Sequence, residues 1–370
     1  MTKLNKLHEM GQSVWFDFIR RSLITSGKLK ELVDQGVKGV TSNPAIFEKA
    51  IAGSNDYDED LKQLIKTDKS VDQIYEALAF EDITRATDVL KPVYESTNAK
   101  DGYVSLEVSP HLAYDTEKTI SEAKRLFETI NRPNLMIKVP ATPAGIPAIT
   151  ELIGSGVNVN VTLIFGLENY RALAEAYIAG LEKLAKTGLS VKDGHPLDKV
   201  ASVASFFVSR VDTAVDKALE KIGNTDLQGK TAIANAKVAY TEFKTIFSGS
   251  RWQQLADKGA HVQRVLWAST GTKNPNYSDT LYVDELIGPD TVNTLPPATL
   301  DSFVDHGKIY ETLTQGLDEA RQQLAQLAEL GINLNSVTQK LQEDGVVAFA
   351  EPFDALMKSI AEKREKLLAA

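Results

Sequence analysis

Eight short stretches rich in β-branched and aromatic residues recur along the chain, separated by longer segments with apolar residues at helical spacing. They are SVWFDFI (13–19), GVTSN (39–43), YVSLEVS (103–109), LMIKVPA (135–141), NVNVTLIF (158–165), VASVASFFVS (200–209), QRVLWAST (263–270) and TVNTLP (291–296). SEAKRLFETI, NYRALAEAYIAGLEKLAKTG and QGKTAIANAKVAYTEFKTIFSG carry the helical periodicity between them. Strand–helix alternation calls for parallel strands joined by right-handed crossovers. Eight such units predict an α/β fold closed into a (β/α)8 barrel, with an open doubly wound sheet as the competing arrangement.

Two regions stand outside this alternation. Residues 271–290 form a long connection after the seventh strand, and connections of that length are usually functional or extra decoration. Residues 308–370 read as a mostly helical tail in three pieces, the last being VVAFAEPFDALMKSIAEKREKLLAA. The expected organisation is a single domain over residues 1–370. Its barrel spans about 12–307, and the tail packs on the barrel and lies across its mouth. A chain of 370 residues is long for one ordinary domain but within range for a decorated barrel.

Composition narrows the function classes. With no cysteine there is no disulfide, thiol nucleophile or thiolate metal site. His8, His111, His195, His261 and His306 are scattered without HxH or HExxH spacing, so no metal is expected. A net charge of −9 argues against a nucleic-acid partner, whose phosphates need a basic surface. It leaves room for a small phosphorylated ligand held by a few cations in a pocket. The opening MTKLNKLHEM lacks the apolar core of a signal peptide, and no stretch reaches the ~20 apolar residues of a membrane span. The expectation is a cytoplasmic protein with no membrane partner, working as a monomer or homodimer.

The strands themselves carry the anomaly. Parallel strands buried on both faces should be almost wholly apolar. Here polar residues recur with period two, which keeps them on one face. Ser105, Glu107 and Ser109 share a face, as do Asn158, Asn160 and Thr162. Lys138 sits between Ile137 and Val139, Asp17 lies inside SVWFDFI with Trp15 on its side, Ser205 and Ser269 occupy comparable strands, and Asn43 ends the second. Burying a charge costs several kcal/mol unless it is paired. A structural ion-pair cluster is one explanation; convergent catalytic groups at a barrel's C-terminal mouth are the other.

Residue type points to the chemistry. A desolvated lysine amine can attack a carbonyl, and the iminium it forms stabilises a carbanion when the adjacent C–C bond breaks. One carboxylate would take the proton from the hydroxyl at the cleaved carbon, and another would manage proton transfers of imine formation. Asp17 and Glu107 are the available pair. No GxGxxG or GxxxxGK[ST] loop competes as a nucleotide site. Trp15, Trp252 and Trp267 read as packing residues, His111 as a loop residue, and Arg20, Arg21 and Arg264 as salt-bridge residues.

GVTSNPAIF (39–47), SLEVSP (105–110), MIKVPATPAGIPAI (136–149), NVNVTLIF (158–165) and SFFVSR (205–210) together resemble the transaldolases. The likeness is greatest to the longer bacterial branch, which has similar SVWFDFIRRSL and WASTGTKNP segments. It runs from about residue 12 to 300, with the closing FDALMKSIAEKR also similar. The resemblance implies a TIM barrel of class I aldolase type, with extra C-terminal helices and no cofactor. It implies transfer of dihydroxyacetone between sugar phosphates, as from sedoheptulose 7-phosphate to glyceraldehyde 3-phosphate, in the non-oxidative pentose phosphate pathway. Residue by residue, it makes Lys138 the Schiff-base lysine and Asp17 the acid/base at the cleaved bond. Glu107 and Thr162 would hold a catalytic water. Asn43 and Asn160 would bind the dihydroxyacetone part, Ser205 and Ser269 would contact substrate, and Arg210 would grip the phosphate. Shorter transaldolases carry a second phosphate arginine where this chain has Gly271, and Lys273 is the replacement the sequence offers. The same Schiff base would serve the small fructose 6-phosphate aldolases, and a non-catalytic sugar-phosphate-binding barrel is the alternative from another class.

Overall fold

A computed structural model describes residues 2–187 and 196–368. Eight parallel strands close into a barrel in sequence order: β1 (Gln12–Phe16), β2 (Gly39–Thr41), β3 (Tyr103–Glu107), β4 (Leu135–Pro140), β5 (Val159–Ile164), β6 (Ser202–Phe207), β7 (Arg264–Ala268) and β8 (Thr291–Leu295). β8 pairs back onto β1 in an unbroken register from Gln12↔Thr291 to Phe16↔Leu295. The closed barrel therefore holds and the open sheet does not. Seven strands lie within the stretches expected for them but are shorter, while β1 starts one residue before its expected stretch, at Gln12, and ends at Phe16. The barrel needs only about five residues per strand, and the chain leaves the ladder where the mouth begins.

The expected helices form over Thr116–Ile130, Leu167–Lys186 and Thr231–Ile246, each presenting buried residues to the barrel. The connection from β2 to β3 is longer than a simple crossover. It carries helices Asp58–Ile65 and Val71–Ser96, the latter opened by a capping box between Ser70 and Gln73.

The bottom of the barrel is sealed by polar groups. Arg264 of β7 pairs with Asp101 at 2.9 Å and donates to Ser13 Oγ at 2.9 Å. Ser13 Oγ and Trp15 Nε1 donate to the two Asp101 oxygens at 2.6 and 3.0 Å. The Trp15 indole fits there because Gly39 on the neighbouring strand has no side chain; a Cβ would lie 2.5 Å from the ring.

The tail differs from expectation in one respect. After a helix over Leu317–Glu329, its last two pieces are one helix, Leu334–Leu368, running through Gly345 and Pro352. Gly345 is not a break but a close approach: a Cβ there would come within 2.9 Å of Leu163 Cδ2 at the end of β5. Gln342 ties the helix to the mouth, its Nε2 donating to Ala141 O at 2.9 Å and Leu163 O at 3.0 Å. Leu163 is itself in left-handed backbone, φ 60°, at a register shift in β5. Such a conformation costs a branched residue about 1–2 kcal/mol and must be held by its surroundings.

Candidate active site

Lys138 lies in the middle of β4, in register with Glu107 of β3 on one side and Asn160 of β5 on the other. Its side chain is only 6% exposed. Nζ donates to the carbonyl of Ser42 at 3.0 Å and stands 3.3 Å from Glu107 Oε2. From above, the Phe349 ring of the C-terminal helix covers it, with its centroid 5.7 Å from Nζ.

The barrel thus holds two buried ion pairs, and they differ in kind. At the bottom, both Asp101 oxygens receive hydrogen bonds, as a structural pair requires. At the top, Glu107 Oε2 is within ion-pair distance of Lys138 but has no hydrogen-bond partner, and Thr162 Oγ1 of β5 is likewise buried without one. Buried polar atoms left unpaired cost about 1–3 kcal/mol each and fit bound water or substrate groups at this end.

Asp17 lies one residue beyond β1, a small correction to its expected place inside the strand. Its backbone N–H still bonds Leu295 O, so the side chain stays aligned with the barrel mouth. Thr41 Oγ1 lies 2.7 Å from Asp17 Oδ1 and 2.7 Å from Thr294 Oγ1. Burial pushes the Asp17 carboxyl above the usual carboxylate range, opposed by the charge of Lys138 and the Thr41 contact. Burial raises Glu107 as well, again against Lys138 and reinforced by the charge of Asp17. Both carboxyls are thus held at a higher proton affinity than in water, as burial of a charged form requires.

These groups open onto a cavity of about 580 Å³ at the C-terminal mouth. Of the residues singled out in the sequence, Asp17, Asn43, Lys138, Thr162, Ser205, Arg210, Ser269 and Lys273 line it. Asn160 does not. It lies beneath the floor, donating to Ser105 Oγ at 3.0 Å and accepting from Ser205 at 2.6 Å, which fixes the Ser205 hydroxyl. Glu107 faces a different cavity. Asn43 caps the helix Pro44–Phe47, its Oδ1 accepting from Ile46 N, which leaves its amide N–H groups for a ligand.

Arg210, at the start of the helix Ser209–Lys221, stands 5.3 Å over Phe207 and 6.0 Å from Phe349, and burial lowers its proton affinity. Exposed Lys273 and half-buried Gly271 lie on the same rim. A Cβ on Gly271 would already meet Thr299 Oγ1 at 3.0 Å. The connection carrying Lys273 is anchored to the Arg210 helix, because Tyr282 donates to Asp212 at 2.8 Å and Tyr277 to Asp216 at 2.7 Å.

Several contributors escaped the sequence reading: Thr41, Thr294, the Ser42 carbonyl, Lys49 on the cavity rim, and Phe349. Thr41 and Thr294 were visible as polar strand residues, but their pairing across the barrel depends on closure. Nothing in the local pattern marks Phe349. Arg20 pairs with Asp56, and Arg21 with Asp60, Glu81 and Asp82, as salt-bridge residues should. His111 is on a surface turn, bonded to Asp354 of the tail at 2.7 Å. Trp15, Trp252 and Trp267 are buried packing residues. His195 lies outside the described residues. Among the described residues no cluster of His, Asp and Glu has the arrangement of a metal site.

The chain matches the family model described as Transaldolase/Fructose-6-phosphate aldolase over residues 14–360. It is 48% identical to a protein of Trichodesmium erythraeum named Transaldolase over 378 aligned residues, covering 98% of each chain. It is also 48% identical to Transaldolase 1 of Streptomyces avermitilis, covering 97% of this chain and 94% of that one. Thermobifida fusca has a transaldolase of 48% identity, covering 97% and 98%. With matches of this extent lying over the barrel and most of its tail, the chain belongs to the transaldolase/fructose-6-phosphate aldolase family.

Proposed function

We propose that this chain works through a Schiff base on Lys138, with Asp17 and Glu107 dividing the proton transfers. The activity is that of a transaldolase, a transferase acting on sugar phosphates. The observation that supports the mechanism most is the buried Lys138–Glu107 contact with its unpaired carboxylate oxygen. A proton passing from Lys138 to Glu107 frees the amine to add to the ketose carbonyl. Glu107 then returns the proton to the departing hydroxyl, which leaves as water, and the iminium remains. Thr162 Oγ1, also unpaired, would hold that water beside it.

Asp17, held by Thr41, takes the proton from the hydroxyl at the carbon being cleaved. The aldose phosphate departs and leaves a dihydroxyacetone carbanion delocalised into the iminium. A second aldose phosphate then accepts it. Asn43 and Ser205 contact the dihydroxyacetone unit, with Asn160 positioning Ser205 from below. Arg210, Ser269 and Lys273 receive the phosphate. Lys273 takes the place of a second arginine and offers a point charge rather than a fork. The whole chain acts as one barrel unit with its tail, placed in the cytoplasm as a pentose phosphate enzyme. Among the described residues, no helix is long and apolar enough to cross a membrane.

Borohydride reduction in the presence of fructose 6-phosphate tests the mechanism. A three-carbon adduct should map to Lys138, and Lys138→Met should form none. An adduct on another lysine, or no adduct in active enzyme, overturns the Schiff base proposed here.

A further inference from the structure

A second cavity, of about 290 Å³, lies behind β3, and its walls include Glu107, Ser109, Tyr75, Phe80, Leu126 and Phe353. Its lining also reaches the solvent-exposed Asp72 and His111. The two halves of the buried ion pair face different chambers: Lys138 lines the mouth cavity and Glu107 lines the rear one, while Asn43 lines both.

The rear lining is not that of a dry void. Ser109 N donates to Glu122 at 3.0 Å, Arg125 pairs with Glu76, and all four residues line the cavity. Cavities lined by apolar groups alone stay empty, whereas a cavity whose walls carry charged and amide groups can hold water.

Imine chemistry needs traffic at this point. Each turnover releases one water when the carbinolamine dehydrates and consumes one when the iminium is hydrolysed. In both steps Glu107 gives or takes a proton on the oxygen. A sugar phosphate in the mouth cavity, beneath the tail helix and its Phe349 ring, obstructs the direct way from that side.

We propose, resting on the Schiff-base reading above, that the rear cavity is the water and proton port of the Lys138 site. Solvent exchanges with Glu107 through it while sugar phosphate occupies the mouth. The substrate enters by one opening and the water of imine formation leaves by the other. Atoms balance without a further reactant: Lys138 ammonium and the ketone give iminium and water, and Glu107 ends as it began.

The test is exchange of the C2 oxygen of fructose 6-phosphate in ¹⁸O-water without acceptor, corrected for the uncatalysed rate. Ser109→Phe places a ring in the rear cavity without touching the mouth. Ser109→Leu does the same with a smaller group and is used if Ser109→Phe does not fold. Either should slow enzyme-catalysed exchange and the rise of borohydride-trappable adduct by about tenfold or more. KM for the donor should stay unchanged. Arg125→Ala, which widens the rim, should exchange at the wild-type rate or faster. If wild type traps its adduct on Lys138 and the folded filled variant exchanges within twofold of wild type, the port is wrong and the Schiff base stands. If wild type forms no adduct, the Schiff-base reading fails first.

Discussion

At the scale of single residues, the informative contrast is between two cations on strands that should be apolar. Arg264 and Lys138 look alike in sequence, each a charge inside a β-type run. Geometry separates them, because Asp101 is fully bonded around Arg264 while Glu107 keeps an unpaired oxygen beside Lys138. The period-two polar pattern was legible because side chains alternate along any strand. What each polar residue bonds was not, since it depends on which strands meet. Asn160 shows this: it shares the inward face but ends beneath the floor, spent on Ser105 and Ser205. Asp17 carries a prediction at this scale. A general base must be ionised to act, and burial raises its proton affinity, so cleavage should fail on acidification at a pH above the ordinary aspartate range near ~4. Asp17→Asn should lower transfer by roughly 10²–10⁴ while the Lys138 adduct from dihydroxyacetone still traps. An adduct yield falling as far as the transfer rate would assign Asp17 a structural role instead.

At the scale of elements, strand count and order followed from periodicity, as did the helical character of the tail. Its inner detail was hidden. Gly345 read as the end of a helical piece, because glycine costs an isolated helix in propensity. Packing overrides that here, since only a glycine allows the helix to approach Leu163. The same helix presents Phe349 to Lys138 and Arg210 at once. In the proposed mechanism an aromatic ring there would exclude solvent from the carbanion formed after cleavage, which must survive until the acceptor aldose arrives. Phe349→Ala should therefore raise the release of free dihydroxyacetone relative to transfer. The measurement is dihydroxyacetone formed from fructose 6-phosphate with and without erythrose 4-phosphate. An unchanged ratio would remove the ring from any shielding role and leave the tail as packing.

At the scale of the whole molecule, the barrel has a buried charge pair at each end, and the two ends should respond oppositely to mutation. Breaking a buried pair strands a charge, whereas replacing both members with apolar residues is often neutral or stabilising. At the bottom, Arg264→Met leaves Asp101 with only Ser13 and Trp15 as partners and should cost about 3–5 kcal/mol, with little change in the adduct formed on Lys138. At the top, Lys138→Met combined with Glu107→Leu removes the charges together with the unpaired oxygen. That variant should be inactive and either as stable as wild type or more stable by up to about 1–4 kcal/mol. Urea unfolding of the two variants beside wild type decides the matter. If the inactive double variant loses as much stability as Arg264→Met, the Lys138–Glu107 pair is holding the barrel closed, and its unpaired oxygen is not a mark of function.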